Sequence, residues 1–156
     1  MDVIFLDIDG VLAGPKEWDM KWKPELMNSY PFNKKAVKTL NSIIEQTDAE
    51  IILSSDWRKH HDLKELKIIF DMNCVIKAPV NVTEILPSLS FGWGGKSSIE
   101  QDRSREINLF LHSNHISKWV AVDDLVLQVD NFVHCPMVEE GIKQTGIKEK
   151  ILKYFE

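Results

Sequence analysis

Val3-Ile4-Phe5-Leu6 runs straight into Asp7-Ile8-Asp9-Gly10-Val11-Leu12, and the fold follows from how this stretch is read. The first four residues are apolar and three are β-branched or aromatic, as in a strand buried on both faces in the middle of a parallel sheet. Such a strand delivers Asp7 and Asp9 to its C-terminal end, the edge at which open α/β sheets bind ligands. Gly10 then permits a backbone conformation that residues carrying a Cβ resist. Two acids this close are costly unless a cation or a shared proton separates their roles. Asp-x-Asp-Gly also occurs in ordinary turns and calcium loops, but a calcium loop needs further oxygen ligands where Val11-Leu12-Ala13 stands.

Working outward, Ala13 to Pro24 is polar with interleaved Trp18, Met20 and Trp22, and predicts an irregular flap beside the first strand end. Asn33 is placed to cap a helix whose apolar face is Ala36, Val37, Leu40, Ile43 and Ile44. Ile51-Ile52-Leu53 is a second buried strand, ending in Ser54-Ser55-Asp56-Trp57-Arg58. A helix with Leu63, Leu66, Ile69 and Phe70 inward follows, and Val75-Ile76 is the expected third strand. Val80 to Ser98 reads as a long loop, of the kind that is usually functional. Helix signals resume at Gln101, with Ile107, Phe110 and Leu111 inward. Trp119 to Val122 is a fourth buried strand ending in Asp123-Asp124; Leu125 to Leu127 and Phe132 to His134 are short extended pieces, and Lys148 to Phe155 a last helix. Strands alternating with helices predict one α/β domain over residues 1–156, a three-layer sandwich around a parallel sheet.

A chain of 156 residues can bury a core without staples, and its 44% hydrophobic and 28% charged content is that of a globular protein. A net charge of −5 argues against a generally basic nucleic-acid-binding surface, though not against a local basic groove. Cys74 and Cys135 suggest no metal site or redox pair and read as reduced thiols, buried or half-buried. An acid at position 2 followed at once by a core strand predicts a cytoplasmic chain without a signal peptide, and no apolar run is long enough to span a membrane.

Three strands thus end in Asp7/Asp9, Ser54/Ser55 and Asp123/Asp124, and as neighbours they would meet at one edge. Asp7 can attack phosphorus as a carboxylate nucleophile, with Asp9 protonating the leaving oxygen and later taking a proton from water. A hard cation is needed to bring a phosphate dianion to these carboxylates, and Mg²⁺ suits an all-oxygen site. Ser54 can bond a phosphoryl oxygen, and a Lys or Arg should complete the charge balance. Other motifs are weaker. Gly95-Lys96-Ser97 lacks the first glycine and preceding strand of a phosphate-binding loop. His60-His61-Asp62 reads as a solvated helix start rather than a metal cluster, and Trp57 as packing before site orientation or base binding. Trp18 and Trp22 read as packing before covering the site or stacking on bases.

In order, Asp7-Ile8-Asp9-Gly10-Val11, Ser54, a basic residue before the fourth strand and Asp123-Asp124 resemble the signature of the haloacid dehalogenase (HAD) superfamily. Leu53 to Arg58, Ala78-Pro79-Val80, Val82-Thr83, Arg103-x-x-Glu106-Ile107, Trp119 to Asp124 and Phe132 to His134 resemble a small capless group of HAD-like domains, some of them found in RNA-repair proteins. The Gly92 to Ser98 loop has no counterpart in that pattern. The resemblance implies a Rossmann-like, HAD-like sandwich without a large cap, acting as a Mg²⁺-dependent phosphohydrolase through an aspartyl-phosphate. Asp7 would be nucleophile and Asp9 general acid/base. Mg²⁺ would be held by Asp7, the Asp9 carbonyl and Asp124 or Asp123, Asp124 being favoured. Arg103 fits the basic position best, with Lys96 and Arg105 as rivals. Ser55, Gly10, Arg58 and Lys96 are candidate substrate contacts. The interval between the first two motifs is too short for a large cap, so the open site suits a macromolecular phosphoester or closure by a partner subunit. A 3′-phosphatase acting on nucleic-acid ends and a non-catalytic HAD-fold binding domain are the alternatives.

Overall fold

The computed structural model describes residues 1–20, 22 and 29–156. Five strands form one all-parallel sheet: β1 (Val3–Leu6), β2 (Glu50–Leu53), β3 (Asn81–Val82), β4 (Trp119–Asp123) and β5 (Phe132–His134), in the order β3-β2-β1-β4-β5. The sheet grows away from β1 in one direction through β2 and in the other through β4. β1 therefore sits at the topological switch point, where open α/β sheets leave a crevice beyond the strand ends. Leu6 pairs with Leu53 on one side and Val122 on the other, which sets the residues one step further on, Asp7, Ser54 and Asp123, abreast. The Asp7 and Ser54 amides still extend the ladder, donating to the Val122 and Leu6 carbonyls at 3.1 and 3.0 Å.

Period-two alternation divides the core between the two faces. Ile4, Leu6, Ile51, Leu53, Val120 and Val122 belong to the larger cluster, with α2 (Lys34–Thr47), α3 (Leu63–Met72) and α5 (Ile147–Leu152). Val3, Phe5, Ile52 and Ala121 pack on the other side with Ile107 and Phe110 of α4 (Ile99–Ser113). There Phe5 meets Phe110 and Trp119 edge-on at centroid distances of 5.6 and 5.9 Å, a geometry worth about 1 kcal/mol per pair beyond burial. Asn33 caps α2 as its sequence predicts, accepting from the Lys35 and Ala36 amides. Ser98 and Gln101 form a reciprocal capping box that starts α4 two residues before Gln101.

Three local expectations are corrected. Val75-Ile76 is not a strand: Cys74 turns the chain at a φ of 62°, Val75 drops into the core behind α3 and Ile76 is exposed. β3 forms further on, where Val80 and Thr83 donate to the Ile51 and Leu53 carbonyls. A two-residue edge strand with Asn81 exposed carries no apolar signature. The same turn exposes Cys74, which was expected at least half-buried, whereas Cys135 is buried. Leu125 to Leu127 forms no strand, since the Leu125 amide folds back onto Asp123 Oδ1 and Leu127 fills the α4-side cluster.

Of the expected flap, Pro15–Trp18 is a one-turn helix (α1) and Trp22 packs against the core, while Lys21, Lys23 and Pro24 lie outside the described residues. The long loop is organised as well. Ser90 and Lys96 bridge antiparallel beneath a Phe91–Gly95 turn, with the Phe91 and Trp93 rings stacked at 5.4 Å. Asp102 of α4 anchors its base by accepting from Ser88, Ser97 and Arg105.

Candidate active site

Asp7 and Asp123 continue the alternation that faces α4, and there they meet Arg103. Its Nη1 donates to Asp7 Oδ2 at 3.2 Å and to Asp123 Oδ2 at 2.9 Å, and Nη2 reaches Asp56 Oδ1 at 3.2 Å. Arg103 shares its helix face with Ile107 and Phe110, at i+4 and i+7, so the apolar stripe that seats α4 on the sheet aims the guanidinium at the strand ends. Arg105, two residues on and about 200° around the helix, instead pairs with Asp102 and the Pro87 carbonyl. Lys96 is exposed in the hairpin. Of the three basic candidates the structure brings only Arg103 to the acids.

Asp7, Asp123 and Asp124 each offer an oxygen within 4.8 Å of the others, and among the described residues this is the one group with metal-ligating spacing. Burial pushes Asp7 up to about 7; the neighbouring Asp123 adds to the rise and Arg103 opposes it. Burial likewise carries Asp123 up to about 6 against Arg103, and Asp124 up to about 6 with its contact to Asp7 adding to the rise. Three carboxylates in a buried space with one guanidinium hold more negative charge than the protein neutralises. An all-oxygen set with that deficit fits a hard divalent cation. Asp123 has most of its oxygen capacity taken by Arg103 and the Leu125 amide, whereas Asp124 is only half-buried. Gly10 stands at a φ of 79°, and a Cβ there would lie 2.6 Å from the Asp124 carboxyl carbon. Its place in the motif thus answers both to backbone conformation and to the approach of Asp124. The Asp124 carbonyl bonds the His134 ring at 2.8 Å. Cys135 lies beside the acids; burial and then their charges push its thiol up to about 12, which makes it no nucleophile.

Asp9 is held by two residues that its own segment does not supply. The Tyr30 hydroxyl donates to Oδ1 and Trp57 Nε1 to Oδ2, the latter at 3.2 Å, with the two rings edge to face at 4.9 Å. Burial and then the bond to Asp9 lift the Tyr30 hydroxyl well above its usual range. Trp57 therefore both packs and orients the site. Nothing in the sequence around Tyr30 marks it, because its partner lies 21 residues away across a connection with no periodicity.

Ser54 and Ser55 are buried at the end of β2. The Ser55 hydroxyl accepts from the Trp57 amide and starts a short 3₁₀ turn, Asp56–Lys59. Arg58, expected at the substrate, points inward. It donates to both serine carbonyls and forms a 2.7 Å pair with Glu106, which also accepts from the Leu86 amide. Its guanidinium is engaged in clamping β2, α4 and the loop after β3, so this placement takes it out of the open site. In the expected solvated helix start, His60 is exposed and Asp62 caps α3, but His61 is buried against Glu65 and Trp57.

Residues 3–149 match the family of the HAD domain in Swiss Army Knife RNA repair proteins. The chain belongs to that family. No curated protein and no solved structure matches it. Membership accounts for the parallel α/β architecture with the acids at its C-terminal edge, and it supports a HAD-fold hydrolase or RNA-repair role. Among the described residues no helix is long and apolar enough to cross a membrane.

Proposed function

We propose that this HAD domain is a Mg²⁺-dependent phosphomonoesterase of the cytoplasm with Asp7 as nucleophile. The observation that carries the reading is the convergence of Asp7, Asp123, Asp124 and Arg103 at the switch point beyond β1. Asp7 and Asp124 would hold the cation with the Asp9 carbonyl, and Asp123 would fix Arg103; the cation supplies charge neutralisation for an incoming phosphate dianion. One Asp7 oxygen attacks phosphorus as the bond to the leaving oxygen breaks, and Asp9 gives that oxygen its proton. Asp9, now a carboxylate, takes a proton from water as the water oxygen attacks phosphorus, which frees Asp7 and inorganic phosphate. Arg103 and Ser54 would hold phosphoryl oxygens as charge shifts onto them.

The family's occurrence in RNA repair proteins favours one substrate class, the phosphorylated end of a nucleic-acid strand. A non-catalytic binding domain accounts less well for the site, since uncompensated buried carboxylates are costly to keep without a reaction or a cation to use them. The test is hydrolysis of an aryl phosphate with and without Mg²⁺ by wild type and Asp7→Asn, followed by 3′-phosphorylated oligonucleotides. Turnover that needs Mg²⁺ and disappears in the variant is expected. Absence of turnover on every substrate, together with no beryllium fluoride adduct at Asp7, would refute the reading.

A further inference from the structure

The segment between β3 and α4 takes no part in the proposed chemistry, yet the topology stands it over the catalytic edge. All five strands are parallel, so α4 carries the chain back from their C-terminal ends, and Arg103 in its second turn already reaches Asp7 and Asp123 there. The segment is fixed to that helix at three points. The Leu86 amide donates to Glu106, and the Ser88 and Ser97 hydroxyls donate to Asp102, the residue next to Arg103. Above this foot the Ser90–Lys96 bridge closes a hairpin. In it the Phe91 amide donates to the Gly95 carbonyl and the Gly94 amide to the Phe91 carbonyl. Trp93 stands at the tip, at most about 14 Å of extended chain from Ser97.

Trp93 is 84% exposed, so it does not serve packing, but its ring is seated. Phe91 stacks against it at 5.4 Å with 14° between the planes, which covers one face and leaves the other open. A Cβ at Gly95 would lie 2.9 Å from Trp93 Nε1, so the indole rests close over that glycine, while a Cβ at Gly92 or Gly94 would meet nothing within 4 Å. Of the other tryptophans, Trp57 is buried, Trp22 and Trp119 pack against the two core clusters, and Trp18 is 41% exposed. Lys96 is the only charged residue between Ile85 and Ser98, so in a protein of net charge −5 this arm is positive and free of acids. A flat ring held from behind and offered face-on matches a nucleobase, which has a π-face whatever its identity, and the cation beside it matches the phosphates of the same strand. We infer that Trp93 is a specificity-determining residue that stacks on a base a few nucleotides from the strand end held at Asp7, with Lys96 on a backbone phosphate. The inference rests on the nucleic-acid reading above and deepens it. It gives the strand a hold away from the reacting phosphate, which a small phosphate ester does not use.

The test follows a 5′-fluorescein RNA octamer with a 3′-hydroxyl by polarisation, so that binding is read without turnover, and repeats it with an abasic residue placed at one position after another from the 3′ end. Wild type should bind. Trp93→Ala should weaken binding about tenfold, Trp93→Phe should keep most of it, and the Phe91→Ala/Trp93→Ala pair, in which the ring beneath cannot take over, should lose at least as much as Trp93→Ala. At one position the abasic residue should cost wild type a similar factor and cost Trp93→Ala nothing, because the stacking partner is already gone. A 2-aminopurine at that position should be quenched by wild type and stay bright with Trp93→Ala. Lys96→Ala should lower the salt slope by about 0.7. Trp93 and Lys96 are exposed, so these variants fold, and their turnover of an aryl phosphate should equal that of wild type. No octamer binding, equal binding by Trp93→Ala, or an abasic cost that is the same in wild type and Trp93→Ala at every position overturns the inference. Aryl phosphate turnover tests the phosphatase reading independently, so the two fail separately.

Discussion

Withdrawing divalent cations should make this protein lose stability as pH rises. Asp7 is 3% exposed and pushed from 3.8 to about 7, so its ionised form costs about 4 kcal/mol in the folded chain, at 1.36 kcal/mol per pH unit. Asp123 and Asp124 are raised to about 6, but the three share charge and their costs do not sum. The sign follows from proton counting. Between pH 4 and 7 the folded chain binds more protons than the unfolded one, so stability is full below pH 4 and is lost progressively until pH passes about 7. Other groups superimpose their own slopes, so the decisive quantity is the difference between wild type and Asp7→Asn. In EDTA at pH 8 the variant should be the more stable by up to about 4 kcal/mol, or about 10 °C in Tm, and the gap should shrink to less than half by pH 5 and close only below pH 4. Saturating Mg²⁺ should raise wild type by about 3 kcal/mol at a hundredfold excess over its Kd, with little effect on the variant. Melting curves by circular dichroism at pH 5, 6, 7 and 8, with EDTA or Mg²⁺, read all of this. A gap that is absent, or that widens toward pH 5, would refute the electrostatic account of the cluster.

Gly10→Ala puts a Cβ 2.6 Å from the Asp124 carboxyl carbon at a φ of 79°, and should cost about 1–3 kcal/mol in urea unfolding and weaken Mg²⁺ binding measured by calorimetry. Arg58→Met strands Glu106 in the core and should cost about 3–5 kcal/mol; Arg58→Met with Glu106→Leu should recover part of that loss in the same unfolding assay. Tyr30→Phe frees one Asp9 oxygen, so kcat should fall for an alkyl phosphate, whose leaving oxygen needs a proton, and stay near wild type for p-nitrophenyl phosphate. Arg103→Ala should lower aryl phosphate turnover by about two orders of magnitude or more, with Lys96→Ala and Arg105→Ala near wild type.

Particular residues show why part of this was legible in the chain. Val3 to Leu6, Ile51 to Leu53 and Val120 to Val122 are buried on both faces, and an unbroken apolar run is how such strands read. The acids and serines that follow them could be placed at one edge from strand ends alone. β3 could not: Asn81-Val82 is two residues at a sheet edge, where nothing requires an apolar pattern. Arg58 misled because a cation next to Ser54-Ser55 reads as a substrate contact until its buried partner Glu106, 48 residues away, is known.

The sequence by itself determined the α/β class, the strand ends that carry Asp7, Ser54 and Asp123-Asp124, and the cap at Asn33, because these depend on local periodicity and on side chains reaching their own backbone. Only the tertiary structure decided the strand order, the placing of Arg103 rather than Arg105 or Lys96 beside the acids, and the hold of Tyr30 and Trp57 on Asp9. Each of these depends on groups far apart in the chain that meet once helices settle on the sheet. Their energies come from burial and charge at contact distance, which neighbours in sequence do not reveal.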